Sequence, residues 1–257
     1  MIWPIDTCMP ADVTLPPLLS PIDELWHVLM DLAQVLEIPW TLVGGQMVLL
    51  HALEHGHVPP QVSQDGDVVA DIRAEPAGIR QVVEALETMG FSLESFSADG
   101  LAHRYVRKGK TVGDVKIDIL APEGLGQRAD LTTTKPGRTV QMPGGSQALA
   151  RTERVQVNHE GREGSVPRPS LLGAIVAKAA ACSVPGDPAR HLRDLALLCA
   201  LVSDPFAMKA ELVAKDRQRL RLASALEAPD HSAWLLVPES IRSNGRAAFG
   251  ILCDTSG

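Results

Sequence analysis

The chain has 257 residues, 45% of them hydrophobic and only 4% aromatic, enough for a core filled mainly by Leu, Val and Ala in one large domain or two small ones. Its net charge of −7 is uneven: residues 1–128 hold 8 Lys/Arg against 18 Asp/Glu, and residues 129–257 hold 16 against 13. The four cysteines, Cys8, Cys182, Cys199 and Cys253, show no C-x-x-C spacing, which argues against a cysteine zinc site or a disulfide scaffold and suits a reducing cytosol.

The first residues, MIWPIDTCMPADV, lack a basic n-region and an apolar h-region, so no signal peptide is expected. No apolar run approaches the roughly 18 residues of a membrane span; a cytoplasmic protein without a membrane partner is expected. The Pro-rich stretch to Pro21 reads as irregular. Leu25, Val28, Leu29, Leu32 and Leu36 then recur at helical spacing, in a helix ended near Pro39. WTLV (residues 40–43) reads as a short buried strand running into Gly44-Gly45, and QMVLLHALEHG as a helix stopped by Gly56.

DGDVVADI, from Asp65, is a strand. PAGIRQVVEALETMG is an amphipathic helix closed by Gly90, and FSLESF, HRYVR and DVKIDILA follow as strands. His103-Arg104 begins a strand next to the Asp118 strand and is a minor candidate to reach the same cleft. The order β-α-β-α-β-β-β fits a mixed sheet flanked by helices, an α/β (α+β) fold. Beyond about Gln147, RVQVN reads as one more strand, PRPSLLGAIVAKAAACS as a helix capped by Ser170, and PARHLRDLALLCALV as a helix begun by Asp187-Pro188. PFAMKAELVAKDRQRLRLASAL supplies further helix. Residues 1–146 are therefore expected to form one domain and residues 147–257 a mainly helical second one.

Alternate residues of a strand share a face, so Asp65 and Asp67 project side by side with Gly66 between them on the other. Two carboxylates that close repel unless a cation intervenes, and Mg²⁺ is the hard, oxygen-seeking occupant that suits them. In DVKIDILA, Val115, Ile117 and Ile119 make the apolar face and Asp118 lies on the other, a third carboxylate for one or two ions. D-x-D alone is common as a solvated turn. A glycine pair opening a helix exposes N–H groups that can cradle phosphate, yet glycine is frequent in such turns as well.

Taken together, Gly44-Gly45, His51, the segment Gln61-Val62-Ser63-Gln64-Asp65-Gly66-Asp67 and the later Asp118 resemble the DNA polymerase β-like nucleotidyltransferases, in particular the AbiEii-type, MenT-related toxins of type IV toxin–antitoxin systems. The resemblance implies a metal site of Asp65, Asp67 and Asp118, an NTP held over Gly44, Gly45, Ser63 and Lys178, and a catalytic set completed by Lys178 and Asp194. It implies an RNA acceptor, the 3′ end of tRNA above all, and a cognate antitoxin. Gln61 stands where the pattern has Arg, and Ser63 replaces Thr while keeping a hydroxyl. A small-molecule nucleotidyltransferase and a degenerate nucleotide-binding member are the alternatives.

Lys178 falls on the apolar stripe of its helix and Asp194 on a face shared with Leu198 and Leu201, so each needs a partner: an ion pair tying two helices, or a role on the triphosphate. The basic run Lys215–Arg221 reads first as a solvated helix face; if the acceptor is RNA, it and Arg151, Arg154, Arg162 and Arg168 are the candidate phosphate contacts. His51, His55 and His57 have no cysteine nearby and read as core or surface residues rather than zinc ligands.

Overall fold

The structure, a computed structural model, describes residues 12–186 and 188–254. The N-terminal segment with Cys8, and Asp187 of the expected helix start, lie outside the described residues. The architecture is mixed α/β, two sheets flanked by helices.

The larger sheet holds β2 (Trp40–Val43), β3 (Asp65–Ala70), β4 (Ser92–Leu93), β5 (Arg104–Lys108), β6 (Asp114–Pro122) and β7 (Val140–Met142). Its order is β2-β3-β6-β5-β4, with β7 pairing the far end of β6. β3 and β6 run parallel, and Asp67 sits opposite Asp118. β2 runs antiparallel to β3 with Val43 opposite Asp67, and β5 antiparallel to β6 with Arg104 opposite Asp118.

Alternation divides this sheet into two unlike faces. Gly66, Val68, Ile117 and Ile119 turn toward α1 (Ile22–Val35), where Leu25 and Leu29 pack so close that a Cβ on Gly66 would come within 3.0 Å of Leu25. The apolar stripe of α3 (Gly78–Thr88) fills the same core. The face of Asp65, Asp67 and Asp118 looks the other way, toward α2 (Gly44–Glu54) and the helices of the second half.

The smaller sheet is built from β1 (Asp12–Thr14), β8 (Thr152–His159) and β9 (Arg162–Pro169), in the order β1-β8-β9. Three expectations change here. The Pro-rich start contributes strand β1. Arg168-Pro169 ends a strand instead of opening a helix; Pro167 and Pro169 are tolerated because β9 is an edge strand. FSLESF keeps only Ser92–Leu93 as strand. Val155, Val157 and Val166 of this sheet join the core beneath α1.

The remaining chain is helical: α4 (Gly145–Ala150), α5 (Leu171–Ala181), α6 (Ala189–Ala200), α7 (Pro205–Ala210), α8 (Ala214–Leu220), a 3-10 segment (Arg221–Glu227), α9 (Ser232–Leu235) and α10 (Glu239–Cys253). Ser170 caps α5 by accepting from the Gly173 N–H, and Pro188 occupies the cap of α6. A second core joins α5, α6 and α10 to Met47, Val48 and Ala52 of α2. Helix α2 is thus the hinge pin between the larger sheet and the helical layer, and the cleft opens where it begins. No helix among the described residues is long and apolar enough to cross a membrane.

Candidate active site

A cavity of about 1160 Å³ lies between the acid face of the larger sheet and helices α5 and α6. Gly44, Gly45, Ser63, Asp65, Asp67, Asp118, Lys178 and Asp194 all line it, together with Gln61, Arg104, Arg190 and Arg193. Residues spread over 150 positions of chain therefore meet in one place.

The glycines are required by contact. Gly44 has φ +71°, and a Cβ there would lie 1.8 Å from Asp67 Oδ2. A Cβ on Gly45 would lie 2.4 Å from Ser63 Cβ. The first turn of α2 therefore presses its bare backbone against the acid strand and the loop before it. Gln46, fully buried, locks that loop by donating from Nε2 to the Ser63 carbonyl at 2.6 Å. The Ser63 hydroxyl contacts the Asp65 carbonyl at 3.3 Å. Ser63 thus positions the start of β3, while Gln61 stands exposed at the cavity wall.

The three carboxylates are neutralised unequally. Arg104 donates to both oxygens of Asp118, Nε to Oδ1 and Nη2 to Oδ2, each at 2.8 Å, and Nη2 also reaches Asp65 Oδ2 at 3.2 Å. This bidentate fork is the strongest pairing a carboxylate finds among side chains. The hydrogen bond to Asp118 pushes the guanidinium above its ordinary range. Among the described residues Asp67 forms no ion pair. Burial, then the charge of Asp118 and then that of Asp65, push its carboxyl up to about 7, against the pull of Lys178 and Arg190.

Arg104 satisfies Asp118 and part of Asp65, and leaves Asp67 and the rest of Asp65 short of positive charge. The donors are hard oxygens, and Asp65 and Asp67 both line the open cavity. The residues fit one divalent ion of the Mg²⁺ type at Asp65 and Asp67.

Opposite, Lys178 is buried on α5 and donates from Nζ to Asp194 Oδ2 of α6 at 2.6 Å. The two stranded charges of the sequence satisfy each other across the helices, inside the cavity wall. His103 and Arg104 both reach the cavity from the strand beside Asp118, as their place in the sequence suggests, and it is Arg104 that engages the acids.

Other residues are placed elsewhere. His51 is buried away from the cavity, its Nε2 3.0 Å from the Pro169 carbonyl, beside Arg168. Burial, then the Arg168 charge, hold its pKa well below the ordinary histidine value. Arg168 is 1% exposed and pairs with Glu54 and Glu153, so it is not an outward phosphate contact. Arg151 pairs with the buried Asp216, Arg162 with Asp31, and Lys215 and Arg219 with Glu123. The basic run docks α8 onto the body instead of forming a free solvated face.

No protein-family model and no curated protein matches this sequence, so the AbiEii-type resemblance rests on its residues alone. Among solved structures, the antibiotic-resistance factor ANT(2'')-Ia, known from its solution structure, is similar at TM-score 0.35 and 13% identity, over 88% of this chain and 90% of that one. A likeness of that degree carries no argument about fold or activity.

Proposed function

We propose that the cavity transfers a nucleoside monophosphate from an NTP to an acceptor hydroxyl, with Mg²⁺ as cofactor. The observation that carries this reading is Asp67: a carboxyl driven to about 7 by its surroundings, in contact with the glycine start of α2 and facing Lys178 across the cavity. A bound Mg²⁺ would be held by Asp65 and Asp67 and would supply neutralisation of the triphosphate charge.

The chain's own residues supply the rest. The N–H groups at Gly44 and Gly45 open the positive end of an 11-residue helix toward the phosphates. Lys178, steadied by Asp194, offers a fixed ammonium on the opposite wall. In the transfer, the acceptor oxygen bonds to the α-phosphorus, the α–β bridging P–O bond breaks, and pyrophosphate leaves. Asp118 is spoken for by Arg104. That guanidinium has to leave before Asp118 can serve as a third ligand or take the acceptor's proton, and once freed it can pair with a phosphate. The gain is in positioning and charge neutralisation.

For the acceptor, the sequence resemblance favours an RNA 3′ end, that of tRNA above all, with a toxin's role and a cognate antitoxin. The pairing of Arg151, Arg162, Lys215 and Arg219, and the burial of Arg168, favour a second reading, a small hydroxyl compound held inside the cavity. Labelled NTPs and Mg²⁺, incubated with total bacterial RNA or with small hydroxyl compounds, distinguish the two by where label accumulates. Equal labelling by wild type and Asp67→Asn in both arms would overturn the site. Calorimetry with each NTP identifies a merely nucleotide-binding member, which would bind without needing Mg²⁺.

A further inference from the structure

On the far side of the larger sheet, Asp23 and His27 occupy successive turns of α1, and His159 and Glu160 lie at the turn between β8 and β9. One ligand-type atom from each of the four lies within 4.8 Å of the others. His159 is 1% exposed, and its Nε2 sits 2.6 Å from Asp23 Oδ1. Its Nδ1 is buried without a hydrogen-bond partner. The His27 and His159 rings stand 5.2 Å apart between centroids. None of these residues lines the cavity.

Two imidazoles and two carboxylates, converging from two elements, are more than hydrogen bonding between neighbours requires. Neutral imidazole is a poor ligand for Mg²⁺ but suits a borderline cation, and the two carboxylates match the charge of a divalent one. With bonds of about 2.0–2.2 Å, a tetrahedral ion sets its ligand atoms roughly 3.3 Å apart. The widest separations in the cluster reach that by closing up to about 1.5 Å, while the Asp23–His159 contact opens by less.

The turn adds a second peculiarity. Glu160, with φ 50°, is the one non-glycine residue at positive φ among the described residues. It is followed by Gly161 at φ 77° in the two-residue connection, where Asn or Gly is the usual choice. A glutamate there accepts a backbone penalty of about 1 kcal/mol, and what it places at the cluster is a fourth oxygen donor.

We infer that Asp23, His27, His159 and Glu160 form a Zn²⁺ site that staples α1 to the β8–β9 hairpin. Four protein ligands close the coordination sphere, so the role is structural.

The test uses the full chain, stripped with a chelator, in an Asp65→Asn/Asp67→Asn background that removes the cavity acids. Titrated with Zn²⁺ alone, it is expected to bind one equivalent. His27→Ala and Glu160→Gln, both on the solvent side of the cluster, should each weaken binding at least tenfold. Co²⁺ in place of Zn²⁺ should give the intense visible bands of a four-coordinate ion, lost in His27→Ala. Circular dichroism of the stripped variants checks that they fold. No stoichiometric binding, or the same affinity in both variants as in their background, overturns the proposal.

Discussion

The two walls of the cavity carry opposite charge by opposite means. On the sheet wall, Asp65, Asp67 and Asp118 share a single guanidinium, Arg104. On the helical wall, Lys178, Arg190 and Arg193 face a single carboxylate among the described residues, Asp194. Each wall is left with unbalanced charge, negative on rigid strands and positive on helices. A cleft polarised in this way suits a cation on one side and a polyanion on the other, and the pair they make is a metal–triphosphate. The difference also shows where function and stability separate: the Lys178–Asp194 pair is satisfied within the protein, whereas Asp67 is not.

Breaking the sheet wall should have the largest consequence. Asp67→Asn, isosteric and uncharged, is expected to lower nucleotidyl transfer by on the order of a thousandfold, the scale of losing one preorganised charged group. Labelled-NTP transfer under single-turnover conditions measures it. Residual activity within tenfold of wild type would remove Asp67 from the site.

The same residue gives the metal-free protein a pH signature. An unfolded aspartate titrates near 3.9, and native Asp67 near 7. Between those values the native state holds one more proton than the unfolded, so stability falls as pH rises from about 4 to about 7 and stays low above. The loss is about 4 kcal/mol. Urea unfolding in a chelator across that range should show a slope that is missing in Asp67→Asn, and saturating Mg²⁺ should restore the lost stability.

Next comes the helical wall. Lys178→Met leaves Asp194 facing the cavity unpaired and should cost about 2–4 kcal/mol by urea unfolding. Lys178→Met/Asp194→Leu should recover most of that stability without recovering transfer activity. Recovery of both would reduce the pair to a tie between helices. The smallest effect is expected from Arg104→Gln, which unmasks Asp118. Mg²⁺ affinity by calorimetry should rise several-fold, with a stability loss of about 2 kcal/mol.

Much of the site was legible because its signals are local. Alternation put Gly66 on one face and Asp65 and Asp67 on the other, and the run from Trp40 to Val43 followed by two glycines marked a strand entering a helix. What was not legible was pairing. β3 is followed in sequence by β4 and β5, yet β6 lies beside it; no spacing announces that Asp67 will stand opposite Asp118, whereas the strand of His103-Arg104 was readable as the neighbour of the Asp118 strand. Of the second sheet, β8 was readable in RVQVN; β9 escaped because Pro167 and Pro169 read as strand breakers, and only its edge position excuses them. His27 and His159 are too distant in sequence to form any motif.

The alignment of Asp67 with Asp118 has a consequence for how the chain folds. Because side chains alternate, a slip of β6 by one residue against β3 would turn Asp118 into Leu25 and Leu29 and bring Ile117 or Ile119 into the cleft. The carboxylates thus act as a proofreading mark for strand assembly. A misregistered chain would be penalised at once by a charge in oil, long before any substrate arrives.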